Sequence, residues 1–296
     1  MLKGRLGLST ARVPQSDRHG LMWLGRGNLF VESGTLQFTT AGGPDLEAGN
    51  YAIPFQMVSC LLLQPGTSVS HDALRLLARH GAGLVIVGEN AVRFYASLPN
   101  GAGKSSRARA QARAWADNEE RIRIARKMYA WRLGELLPAT DLNALRGIEG
   151  SRMKETYRLL ADQFGISWRG RRYNRMRPEE ADIANQAINH ASSAIEGAAL
   201  TAVAVCGALP QLGFIHEDSS NAFALDVSDL FRDSVLLPAA FGAARKIQRD
   251  KVGPVESVVR RFTGDAIRRE KVVPAMIDRI KDLFDADDDR SDAERP

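Results

Sequence analysis

The sequence predicts an α+β protein with a small, sandwich-like β-rich N-terminal domain containing one short helix, followed by a larger all-α C-terminal domain. Three observations lead there. Residues 1–96 hold short β-prone runs separated by Gly, Ser and Pro; residues 97–105 concentrate Pro and Gly; and from Ser105 to about residue 285 good helix formers and capping residues dominate. The predicted organisation is a β domain over 1–96, a linker over 97–105, a helical domain over 106–285 and an acidic tail over 286–296.

Within the first domain, Asn28–Glu32 and Thr35–Thr39 read as strands joined through Ser33-Gly34 in a tight hairpin. Ala52-Ile53-Pro54 and Val58 to Leu63 follow, and the run Cys60-Leu61-Leu62-Leu63 does not alternate, which predicts a strand buried on both faces. Pro65-Gly66-Thr67 is a turn. Ser70 can cap a helix that Gly81 stops, with Leu74, Leu77 and Ala78 as its apolar face. Gly83–Gly88 and Ala91–Ala96 read as two more strands.

The linker contains Gly101-Ala102-Gly103-Lys104-Ser105, which echoes the end of a phosphate-binding loop. The full motif needs a glycine where Leu98 stands, so the spacing fails. Ser105 to Leu137 reads as helix with an apolar stripe of Ile122, Ile124, Ala125, Met128, Trp131 and Leu133. Arg107, Arg109, Arg113, Arg121, Arg123 and Arg126 make the rest basic, either to meet phosphates or as a solvated face paired with Glu119 and Glu120. Asp141 caps a helix to Phe164 that Gly165 stops. Trp168 to Tyr173 is a basic, aromatic loop suited to phosphates and unpaired bases, or an ordinary surface loop. Glu179 to Leu209 is a long helix rich in small residues, suited to a core.

Charged residues are 25% and hydrophobic ones 44%, ordinary proportions for a soluble globular chain. Net charge is +5, but residues 282–296 hold seven acidic and two basic residues; the remainder carries 38 basic against 28 acidic. A basic body points to a polyanionic partner, and the tail reads as a disordered, solvating end. Cys60 and Cys206 sit in apolar runs without metal-ligand spacing, as reduced residues of a cytoplasmic protein. Charges near the start break any signal-peptide core. The apolar stretch Gly197–Ile215 is interrupted by Pro210 and Gln211, so no membrane association is expected.

The chemistry-bearing residues cluster in Gly213-Phe214-Ile215-His216-Glu217-Asp218 and Asp226-Val227-Ser228-Asp229, with Glu149 upstream between Arg146 and Arg152. Carboxylates with an imidazole suit Mg²⁺ or Mn²⁺ and phosphodiester chemistry. Each group has a plainer reading. Asp226 and Asp229, on one helical face, can be a helix cap and a first-turn acid; His216 a satisfied loop or core histidine; Glu149 a surface partner of Arg146 or Arg152.

Taken together, Arg146-Gly147-Ile148-Glu149-Gly150-Ser151-Arg152, Gly170-Arg171-Arg172-Tyr173, Gly213-Phe214-Ile215-His216 and Asp226-Val227-Ser228-Asp229 resemble the CRISPR-associated integrase and endonuclease family of spacer acquisition, in its subtype I-E form. Pro65-Gly66-Thr67, Val69-Ser70-His71, Val87-Gly88-Glu89 and Val92–Ser97 extend the likeness over nearly the whole chain, the acidic tail excepted. The resemblance implies metal-dependent insertion of invader-derived DNA into a repeat array by 3′-hydroxyl attack on repeat phosphates. It implies Glu149, His216 and Asp229 as catalytic metal ligands for Mg²⁺ or Mn²⁺, with Asp226 supporting. Tyr173 matches a tyrosine near the DNA end, and Arg93, Arg171, Arg172, Arg260 and Arg261, with Arg268 and Arg269, are candidate DNA contacts. The implied partners are double-stranded and branched DNA, a second copy through the β domain, and a small second spacer-acquisition protein in a heterohexamer. Ser68 stands where the family pattern has a basic residue, which puts one contact in doubt. A non-catalytic DNA-binding scaffold and a small-molecule phosphoesterase are the competing readings.

Overall fold

The structure is a computed structural model, and it describes residues 20–43, 46–97, 105–135, 137, 141–172, 180–251 and 253–284. The expected tail, Tyr173 and residues 98–104 of the linker lie outside them. Contacts divide the chain into a strand-rich unit of Met1–Gly88 with Tyr95–Ser105, and a helical unit of Ser106–Pro296 with Glu89–Phe94.

The described residues of the strand-rich unit form two four-stranded sheets. One orders β1 (Leu21–Leu24), β5 (Cys60–Leu63), β7 (Gly83–Val87) and β8 (Phe94–Ser97), with β5 parallel to both β1 and β7. The other orders β4 (Gly49–Ile53), β3 (Thr35–Thr40), β2 (Gly27–Glu32) and β6 (Thr67–Val69). Its β2–β3 hairpin turns through Ser33 and Gly34, both at positive φ (49° and 77°), the mirror-image turn that matches strand twist. Leu24, Leu61, Leu63 and Leu84 of the first sheet share a core with Leu29, Leu36, Phe38 and Ile53 of the second. β5 is buried along its whole length, as its unbroken apolar run requires.

The short helix α1 (His71–His80) starts where Ser70 accepts from Ala73 N–H and stops at Gly81, whose φ is 63°. Its buried face is Ala73, Leu77 and His80, with Leu74 only half-buried and Ala78 exposed. The imidazole of His80 packs edge-on to Phe55, so it serves as an apolar surface that a hydropathy pattern does not count. Two further expectations shift. Thr67 begins a strand instead of closing a turn, and strand β8 starts only at Phe94, because Asn90 and Ala91 both have positive φ. Strand β1, the apolar run Leu21–Leu24, is not among the expected strands.

Among the described residues, the α-helices of the helical unit run from 8 to 24 residues and are arranged about one central helix. Residues 106–133 form two helices, α2 (Ser106–Ala116) and α3 (Asn118–Leu133), because Asp117 leaves the helix to accept from the N–H groups of Glu119 and Glu120. Next come α4 (Leu142–Phe164), capped by Asp141 and ended by Gly165 as its spacing predicts, and α5 (Ile183–Cys206). A short α6 (Ala222–Asp229) runs through a π turn at Arg232–Leu236 into α7 (Leu237–Asp250), followed by α8 (Val255–Arg269) and α9 (Val272–Phe284). α5 packs against α6, α7, α8 and α9. Ala191, Ala194, Ala198, Ala199 and Ala202 are fully buried on it, and these small side chains let neighbouring helices approach closely. Glu89–Phe94 joins this unit for the same reason: a Cβ at Gly197 would lie 2.9 Å from the Arg93 backbone. Among the described residues, no helix is long and apolar enough to cross a membrane.

Candidate active site

The candidate residues come from three stretches of the helical unit. Glu149 lies on α4, His216 in the loop between α5 and α6, and Asp226 and Asp229 on α6. Asp226 is fully buried. Its Oδ2 accepts the N–H groups of Phe214 (2.6 Å) and Ile215 (3.0 Å), and its Oδ1 accepts that of His216 (2.9 Å). The same Oδ1 lies 2.7 Å from His216 Nδ1. Asp226 thus closes the loop and orients the ring, and is no cap of its own helix. Gly213 permits that closure, since a Cβ there would stand 2.4 Å from the His216 carbonyl oxygen and 2.7 Å from Ala222 Cβ.

With Nδ1 engaged, His216 Nε2 faces Asp229, 4.0 Å from its Oδ2. The hydrogen bond to Asp226 raises the His216 pKa above its ordinary value; burial opposes this, and the charges of Asp226, Asp229 and Glu149 add to it.

Glu149 and Asp229 are linked through Arg132 of α3, whose side chain is 3% exposed. Arg132 Nη1 is 2.6 Å from Glu149 Oε1 and 3.9 Å from Asp229 Oδ2, while its Nε donates to Asp233 Oδ2 at 3.0 Å. Burial works against the Arg132 charge, and Asp229, Glu149 and Asp233 more than restore it. A second guanidinium, Arg232, donates to Asp229 Oδ1 (3.2 Å) and to the Tyr157 hydroxyl (2.8 Å). Tyr129 donates its hydroxyl to Glu149 Oε2 at 3.2 Å; burial first, then Glu149, pushes its pKa up.

Glu149 is therefore no surface partner of its sequence neighbours. Arg146 turns to Glu217 and to the Ile215 carbonyl, and Arg152 to Glu135. Glu217 is held by Arg121 as well, which takes it out of the acidic set.

The donors suit a divalent cation: two carboxylates already gathered on a positive charge, beside an imidazole with Nε2 directed at one of them. In this arrangement no three His, Cys, Asp or Glu side chains among the described residues stand close enough to hold an ion. Glu149 turns to Arg132, and Asp229 lies between Arg132 and Arg232.

Tyr129, Arg132, Arg232 and Asp233 belong to no motif. Arg132 was nonetheless detectable from spacing. The buried face of α3 is Ile124, Ala125, Met128 and Tyr129, and Arg132 continues it at the helical repeat, so a guanidinium there needs carboxylates. Trp131, placed in the apolar stripe, is half-buried, with Lys127 and Arg279 over its ring.

The candidate DNA contacts differ in freedom. Arg171 donates to Asn185 (3.0 Å) and Asn189 (2.6 Å), which fixes its loop to α5, whereas Arg172 is exposed. Arg93 and Arg260 both reach Glu256, at 3.3 and 3.4 Å. Arg261 and Arg268 are exposed, and Arg269 pairs with Glu270. Of the helical arginines, Arg107 donates to the Cys206 carbonyl, Arg126 to that of Leu137, and Arg123 pairs with Glu120. In the strand-rich unit, Ser68 is hydrogen-bonded to Asn28.

A family model described as "CRISPR associated protein Cas1" matches residues 21–136 and 131–253. The chain belongs to the Cas1 family. It is 36% identical over 275 residues to the CRISPR-associated endonuclease Cas1 of Escherichia coli K12, covering 93% of this chain and 87% of that protein. It is 35% identical over 275 residues to the corresponding Cas1 of Geobacter sulfurreducens, with the same coverage. A solved structure described as a TtCas1–DNA complex superposes with a TM-score of 0.80 at 31% identity, covering 90% of this chain and 97% of that one. The Cas1 fold accounts for the order seen here, strands first and helices after.

Proposed function

We propose that this Cas1 chain is a metal-dependent DNA endonuclease and integrase of the subtype I-E form, which inserts invader-derived DNA into a CRISPR repeat array through 3′-hydroxyl attack on repeat phosphodiesters. The observation that carries the reading is the linkage of Glu149, His216 and Asp229, far apart in sequence, into one charged network. The similarity to CRISPR-associated endonucleases supports the endonuclease activity, and the TtCas1–DNA complex supports DNA as the partner.

A Mg²⁺ or Mn²⁺ ion held by Glu149, His216 and Asp229 would polarise a phosphoryl oxygen and stabilise charge on the departing 3′-oxygen. The chain's own groups prepare this. Asp226 keeps the Nδ1 proton of His216, so that Nε2 offers its lone pair beside Asp229. Tyr129, with its raised pKa, stays protonated and orients Glu149 instead of attacking. The nucleophile is the hydroxyl on the DNA, and Tyr173 is a contact near the DNA end, as the family resemblance implies. Arg172 and Arg261 track phosphates, assisted by Arg93 and Arg260 where Glu256 releases them. The strand-rich domain pairs with a second copy, and two such pairs flank the small second acquisition protein in the cytoplasm.

A non-catalytic DNA-binding scaffold is the second reading, favoured by Arg132 neutralising Glu149 and Asp229 without an ion. Alanine substitution of Glu149, His216 and Asp229, each assayed on branched DNA with Mn²⁺, separates the two. Loss of turnover with an unchanged circular dichroism spectrum supports the enzyme; retained activity in all three would sink the site assignment.

A further inference from the structure

We infer that Arg132 is an internal counter-cation that competes with the divalent ion for Glu149 and Asp229, and that Asp233 is the anchor to which it withdraws. The inference rests on the metal reading of the site and adds a residue that controls it.

Three carboxylates surround the Arg132 guanidinium: Glu149 at 2.6 Å and Asp229 at 3.9 Å from Nη1, and Asp233 at 3.0 Å from Nε. Its side chain is 3% exposed, so solvent screens these charges weakly. In the cation-free protein Glu149 and Asp229 are like charges that need positive partners; Arg132 is the one they share, while Arg232 holds the other oxygen of Asp229. A divalent ion bound by the same oxygens would face the fixed charge of Arg132, which does not deprotonate. The two cations exclude one another from these oxygens, so the ion enters only as Arg132 gives them up.

Asp233 shows where the charge goes. Its Oδ2 already accepts from Nε, whereas its Oδ1 is buried with no hydrogen-bond partner. A buried carboxylate oxygen without a donor is costly. A small swing of Arg132 about Nε satisfies it with a second N–H, giving the two-pronged pair that guanidinium and carboxylate favour. Arg132 Nη2 meanwhile rests on Met153 Sδ at 2.7 Å, an acceptor weak enough to leave. Asp233 follows Asp229 by one turn, and the π turn at Arg232–Leu236 that begins there sets its side chain on the same guanidinium.

The test is calorimetric titration of the purified full chain, free of DNA, with Mn²⁺. Arg132→Gln should bind Mn²⁺ about tenfold tighter or more than the unaltered protein, because a buried like charge is removed. Asp233→Asn should bind it several-fold more weakly, by roughly the factor that losing one carboxylate anchor allows. In the double variant the Asp233 effect should largely vanish, since there is no arginine left to receive. Arg132→Gln binding no tighter than the unaltered chain, or an Asp233 effect of equal size in both backgrounds, would overturn the inference. If Arg132→Gln is unfolded without metal, Mn²⁺ should restore its far-ultraviolet circular dichroism; failure to do so counts against the proposal. Failure of the metal reading itself looks different: the unaltered chain would bind no Mn²⁺, or Glu149→Ala would bind it equally well.

Discussion

Asp226 Oδ1 lies 2.7 Å from His216 Nδ1 while the same carboxylate accepts three consecutive backbone N–H groups, those of Phe214, Ile215 and His216. One buried side chain therefore both builds the loop and orients the imidazole. Asp226→Ala would leave three N–H groups without an acceptor in the interior, at a cost of about 3 kcal/mol or more. Urea denaturation should show that loss.

Gly213 tests the same loop from the backbone side. A Cβ added there would collide with the His216 carbonyl oxygen and with Ala222 Cβ. Gly213→Ala should destabilise by about 1–3 kcal/mol and displace His216, since neither a carbonyl nor a helix start yields easily. Thermal unfolding together with turnover on branched DNA would report both effects.

Two imidazoles should titrate on opposite sides of 6.5 in the metal-free chain. His216 is raised, chiefly by its hydrogen bond to Asp226, and His190 is lowered, chiefly by burial, with Arg93 and Arg260 adding to the effect and Glu256 opposing it. The linkage signs differ accordingly. The stabilisation from His216 is fully present below 6.5 and is lost as pH rises through its raised folded value. His190 acts in reverse: the native state loses stability as pH falls from 6.5 through its depressed value, because the unfolded chain takes up that proton first. Histidine ring NMR across pH 5 to 8 follows both, and Asp226→Asn should lower the His216 value.

Arg171 and Arg172 are neighbours with different expected roles. Arg171 is fixed to Asn185 and Asn189 of α5, and Arg172 is exposed. Arg171→Ala should lower the melting temperature. Arg172→Ala should leave stability unchanged, weaken DNA binding across sequences, and reduce the slope of log affinity against log salt by about 1. Fluorescence anisotropy at several salt concentrations separates the two.

Much of the fold was legible because the punctuation was local. Ser70, Asp141, Gly81 and Gly165 start or stop helices where their chemistry demands, and Ser33-Gly34 turns the hairpin. Non-local relations were harder to read. No periodicity pairs β1 with β5 across more than thirty residues of chain, or lets Asp117 divide a run of good helix formers. At the site, the motif residues stood out, but their partners did not. Arg132 and Asp233 carry signals only as charges at buried or turn positions, and which carboxylates a guanidinium meets is decided by how α3, α4 and the π turn pack.

In the proposed function, Glu149, His216 and Asp229 act through a divalent ion on DNA. The most direct measurement is cleavage of a branched DNA by the full chain with and without Mn²⁺, beside Glu149→Ala. The predicted result is turnover by the unaltered chain only when Mn²⁺ is added, and none by Glu149→Ala under either condition. Equal turnover with Mn²⁺ withheld by chelation, or turnover by Glu149→Ala at the unaltered rate, would contradict it.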